Sequence, residues 1–148
     1  MSFPSQARPS EGAVLVRTWT LDRPDQLSRL RAELFTAVTA QSVPDGLVLD
    51  ELPARMAAAA TELATNALCH AGAPALVQLH RAATSFILDV IDRMTGAVPL
   101  VTTPVSAPTG KFGMRIATHV ASRLGWYIAG GTKHVWAQFA MPRWDDHD

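Results

Sequence analysis

One cysteine in 148 residues excludes an internal disulfide framework, and a lone Cys69 fits a reducing compartment. Charge is scarce too: charged residues make up 18% of the chain, and 13 basic residues balance 13 acidic ones. No Lys/Arg cluster stands out, so the electrostatic footprint of a nucleic-acid or anionic-membrane binder is missing. No apolar run approaches the roughly 20 residues that span a bilayer. The polar, Pro-containing start MSFPSQARPSEG also lacks the apolar core of a signal peptide. These absences predict a soluble, cytoplasmic protein with no direct nucleic-acid or membrane role. Others trim the chemistry. The five histidines are scattered and the cysteine has no partner, which excludes the usual zinc spacings. A GxxxxGK[ST] phosphate loop is missing. Cys69 and His70 are adjacent on a predicted helix and diverge by about 100°, so they do not face one another as nucleophile and base.

What is present suffices for one domain: 48% of the residues are hydrophobic, enough for a core of its own. The pattern predicts a flexible N-terminal tail (1–11), a single domain (12–142) and an acidic C-terminal tail (143–148). AVLVRTWTL (13–21) alternates like a strand. Residues 22–41 read as a helix, with Pro24 in the first turn and Leu27, Leu30, Leu34 and Val38 at helical spacing. A second helix is predicted from Asp50, as N-cap, to Ala71, with Gly72 as the stop. ALVQLHRA (75–82) and SFILDVID (85–92) form a predicted hairpin. A long Pro- and Gly-containing loop follows to Gly110, of a length more often functional than connective. KFGMRIATHVASRLG (111–125) restarts a helix, and a hairpin turning at Gly130-Gly131 ends the domain. The order β-α-α-β-β-loop-α-β-β predicts an α/β (α+β) two-layer sandwich, with a mixed, largely antiparallel sheet and helices on one face.

Four segments carry candidate chemistry. Glu62, Asn66 and His70 recur every four residues and project from one side of the second helix, beside the apolar stripe of Leu52, Met56, Leu63 and Ala67. Asn66 is a poor helix-interior residue because its amide competes with the backbone. His70 also suits the negative end of the helix dipole. Asp92 ends a strand, and Asp89, three residues earlier, points to the opposite face. Gly96 follows Asp92 in the loop. TGKFGM (109–114) is a Gly-containing entry into a helix, a natural phosphate site. Among the tryptophans, Trp19 and Trp136 read as core residues under the helices and Trp144 as exposed.

ELATNALCHAG (62–72), VIDRMTG (90–96), GKFGMRIATHVASRLGW (110–126) and HVWAQF, in that order, resemble the anti-sigma factor/serine-protein kinase family of bacterial regulators. The family belongs to the GHKL ATPases, so the resemblance implies the Bergerat ATP-binding fold across about residues 13–141. It implies ATP and Mg²⁺ as cofactors and serine/threonine-protein kinase activity. Glu62 would be the general base for a protein serine hydroxyl, and Asn66 would hold Mg²⁺ within an N-box helix that includes His70. Asp92 would receive the adenine amino group, with Met94 and Gly96 where the family has two glycines. Lys111, Phe112, Gly113 and Met114 align with a GxGL motif, with Gly110 beside it, and Thr132 would approach the phosphates from the last strand. The implied partners are a sigma factor or other regulatory protein, a STAS-domain antagonist as substrate, and a second copy in a homodimer. Met94 and Lys111 depart from the motifs and favour an alternative, a protein-binding module that keeps the scaffold with weak or no nucleotide binding.

Overall fold

The computed structural model describes residues 5–9, 12–70, 72, 74–93 and 121–146. Met94, Gly96, Gly110, Lys111, Phe112, Gly113 and Met114 lie outside the described residues, as does most of the predicted third helix.

In chain order the described elements are β1 (Ser5–Gln6), β2 (Val14–Leu21), α1 (Leu27–Thr39), α2 (Leu52–His70), β3 (Ala75–Arg81), β4 (Ser85–Asp92), β5 (Arg123–Ala129) and β6 (Thr132–Ala140). The strands form one sheet in the order β1-β5-β6-β4-β3-β2. The five longer strands pair antiparallel, and only the short β1 runs parallel, to β5. The architecture is α+β: a two-layer sandwich with a mixed sheet.

Why these residues make these elements follows from their spacing. Leu30, Leu34 and Val38 lie four apart, so one stripe of α1 is buried while the rest stays wet. A 3₁₀ turn at Pro24–Gln26 leads into α1, with the Gln26 side chain accepting from the backbone N–H of Asp22 (2.6 Å) and Arg23 (3.1 Å). Glu33 ties α1 to β2. Its carboxylate accepts from Trp19 Nε1 (3.0 Å), Arg17 (2.6 Å) and Arg29 (2.8 Å). The Arg29 hydrogen bond, then the Trp19 one, hold that carboxyl below its usual range.

In α2 the run Ala57, Ala59, Ala60, Ala64 and Ala67 is buried, and these small side chains let the helix sit close on β3, β4 and β6. Between the layers pack Met56, Leu63, Val77, Leu79, Phe86, Leu88, Val90, Val135 and Phe139. Each larger side chain contributes about 1.5–3 kcal/mol by leaving water. The central strand β4 is buried at all eight positions, on both faces. Gly130 (φ 59°) and Gly131 (φ 79°) make the β5–β6 turn, which needs two left-handed residues in succession.

The structure corrects four expectations. Asp50 is not the N-cap of α2: the helix begins at Leu52, and Asp50 takes φ 52° in the turn before it. The predicted helix does not reach 125, because Arg123–Ala129 is strand; Leu124 is opposite Ala137 and packs on the core. Trp136 is buried, but on the sheet face away from the helices, where its Nε1 donates to the Ala7 carbonyl (2.6 Å). Ser5–Gln6 belong to the sheet rather than to a loose tail, and the Ala7 N–H extends the pairing to the Trp126 carbonyl (2.9 Å). At the other terminus Trp144 is exposed as expected, although its backbone N–H donates to the Gly46 carbonyl (2.8 Å).

Candidate functional site

Strand register collects the candidate residues at one end of the sheet. Leu76, near the start of β3, pairs with Ile91 at the end of β4; Ile91 and Asp92 pair with His134 and Lys133 at the start of β6. The helix α2 ends at His70, five positions before β3 begins, so its C-terminal turns lie at that same end. Gly72 makes the exit with φ 84°, its N–H reaching back to the Ala67 carbonyl (3.2 Å).

On the helix side, Glu62 is buried at 8% exposure in α2. Asn66, one turn on, is half-buried, but its Oδ1 is enclosed and has no hydrogen-bond partner among the described residues. Such an acceptor costs about 1–3 kcal/mol, and native proteins carry few of them. His70 and Cys69 are exposed in the last turn. Asp92 shares the face of Val90 and Leu88 and meets Lys133, whose Nζ lies 3.8 Å from Oδ2.

The sequence reading passed over Lys133. Strand alternation puts it, rather than Thr132, on the face of Asp92. Thr132 is engaged on the opposite face: its hydroxyl donates to the Ala129 carbonyl (2.8 Å) and lies 3.1 Å from His134 Nε2. His134 Nδ1 donates to the Asp89 carboxylate (3.0 Å), and the His134 ring stacks on Tyr127 with centroids 4.4 Å apart. The Arg8 guanidinium also lies over the Tyr127 ring, 4.4 Å from its centroid. Burial, then the charge of Asp89, pushes the Tyr127 hydroxyl above its usual value; Arg8 acts the other way. Burial lowers the His80 pKa on this same face, against the pull of Asp89. Asp89 was thus correctly assigned to the face away from Asp92. No local signal in the sequence marked its pairing with His134, 45 residues on.

The fit to a nucleotide with Mg²⁺ is divided. An amide oxygen is a hard ligand of the kind Mg²⁺ accepts, and Asn66 Oδ1 has no hydrogen-bond partner among the described residues. Among the described residues no three His, Cys, Asp or Glu side chains converge to hold a metal. At Asp92 the carboxylate that would receive the adenine amino group has the Lys133 ammonium 3.8 Å from its Oδ2. A groove of about 510 Å³ runs along α1 and α2 past Arg31, Phe35, Thr36 and Ala54; none of the described candidate residues lines it.

No family model matches this chain, and comparison with curated proteins gives no match. Among the described residues no helix is long and apolar enough to cross a membrane.

Proposed function

We propose that this chain is a nucleotide-dependent regulator on a Bergerat-type scaffold, of the anti-sigma factor/serine-protein kinase kind. In this reading it binds a sigma factor or similar target in the cytoplasm and changes partner by phosphorylating a STAS-type antagonist on serine. Asn66 carries the proposal. A helix-interior amide whose enclosed Oδ1 has no partner among the described residues is a poor choice for stability and a good one for a cation ligand. The bound ion would neutralise triphosphate charge, the main requirement of phosphoryl transfer. Glu62, one turn earlier, would accept the serine proton, and its enclosure in the α2 face keeps its geometry fixed.

Calorimetric titration of the protein with Mg²⁺ and purine nucleoside triphosphates tests this. We expect micromolar binding in the parent and loss of at least tenfold in Asn66→Ala. The melting temperature of the variant should be unchanged or higher, because the substitution removes an unsatisfied oxygen and favours the helix by about 0.5–0.7 kcal/mol. Equal affinity in the two proteins would refute the assignment.

A second reading is favoured by Lys133, which compensates Asp92 from within the protein. It is a protein-binding module that keeps the scaffold without the nucleotide. Absence of binding by any purine triphosphate would select it.

A further inference from the structure

β1 and β2 stand at opposite edges of the sheet, with β5, β6, β4 and β3 between them. Gln6 is level with Trp126, and through Val135, Val90 and Val77 with Trp19 of β2. β1 also runs in the direction of β2, so the chain leaves Gln6 heading away from Val14, where β2 begins. Five strand spacings, and the backward step from Val77 to its neighbour Arg81 on β3, put Gln6 and Val14 roughly 27 Å apart. The chain between these two residues reaches only about 26–29 Å when fully drawn out. A flexible chain of that length prefers a span of about 15 Å, so the fold holds this connection far beyond its relaxed length.

Few contacts hold the segment down against that tension. Ser5 and Gln6 pair with Gly125 and Trp126, and the Ala7 N–H donates to the Trp126 carbonyl (2.9 Å). The Ala7 carbonyl accepts from Trp136 Nε1 (2.6 Å), and the next residue, Arg8, lies over Tyr127. Behind that ring are His134, stacked on it, and the buried Asp89 carboxylate, which favour a cation at this place. None of these contacts needs the covalent connection. Main-chain pairing at a sheet edge supplies affinity, while the indole and the aromatic stack supply register and charge selection, as in recognition by strand addition.

We infer that the β5 edge with Trp136 and Tyr127 is a docking site for an extended, arginine-bearing segment of a partner protein, and that this chain's own N-terminal segment occupies it as an internal competitor. A tether that barely spans its two ends supplies little effective concentration, so a free segment making the same contacts displaces it. The site lies on the sheet face away from α2 and is independent of the nucleotide reading.

Titration of the full chain with a peptide of residues 1–9, MSFPSQARP, tests this, followed by tryptophan emission and the indole N–H signals in NMR. We expect saturable binding that perturbs the Trp136 indole, weakened about two- to fivefold by Arg8→Ala in the peptide. Inserting Gly-Ser-Gly-Ser after Gly12 touches none of the contacts but relaxes the tether, so the peptide should bind about tenfold more weakly. Deleting Glu11 draws the connection below its span and should tighten peptide binding about tenfold. Equal affinity in the parent and the insertion variant, or binding by neither, overturns the inference. That comparison decides whether or not the deletion variant folds. Self-association of the parent that excess peptide dissociates would make the occupant the N-terminal segment of a second copy, and would overturn the assignment to a partner protein.

Discussion

Glu62 and Asn66 occupy consecutive turns of α2, and the fold treats them differently. Glu62 is enclosed and has interaction partners within the protein. Asn66 keeps an enclosed oxygen without one among the described residues. A residue held in place but chemically competent suits a proton acceptor; one with an unspent lone pair suits a ligand. In our reading Glu62→Gln keeps the shape and removes the base. Phosphate transfer to a STAS-domain serine should drop by about 10²–10⁴-fold, the range of a lost general base. Pull-down of the regulatory target and the melting temperature should be unaltered. Transfer at the parent rate would remove Glu62 from the mechanism. The residue scale also shows what local pattern reaches: the four-residue interval marked Glu62 and Asn66 as unusual for a helix interior, while their burial became visible only against the sheet.

The elements follow from periodicity and punctuation. Leu30, Leu34 and Val38 recur at 3.6-residue spacing and α1 forms there; SFILDVID is apolar and β-branched, and β4 runs through every position of it. Punctuation is stricter at Gly72. A Cβ built there meets nothing within 4 Å, so any substitution penalty is backbone strain from φ 84° and not a clash. A left-handed non-glycine residue costs roughly 1–2 kcal/mol, partly offset by lower chain entropy in the unfolded state. Gly72→Ala should therefore lose about 1 kcal/mol, read as a lower urea midpoint at unchanged m-value. An unchanged midpoint would mean that the α2 exit relaxes to another turn. Element boundaries were less legible. Leu124 carries an apolar side chain that suits either period, and its pairing opposite Ala137 makes it strand.

At the scale of the whole molecule, residues 5–9 join the face of the sheet that the described helices leave open. Trp136, only 1% exposed, donates to the Ala7 carbonyl, β1 borders β5, and Arg8 covers Tyr127. Removal of residues 1–9 would leave the indole N–H without its acceptor and β5 as an unprotected edge. We expect a loss of about 1–3 kcal/mol in denaturant unfolding, a shift in tryptophan emission, and concentration-dependent association by sedimentation. Unchanged stability would show that the segment is dispensable. Hydrophobic period, turn residues and the spacing of Glu62, Asn66 and Asp92 are local properties, so the sequence by itself determined β2, α1, α2, β3, β4, the closing β5–β6 hairpin and the α+β class. The pairing of Asp92 with Lys133 and of Asp89 with His134, and the placement of Trp136 under the N-terminal segment, came only with the tertiary structure. Each joins segments at least 40 residues apart through strand register, and register is a property of the assembled sheet.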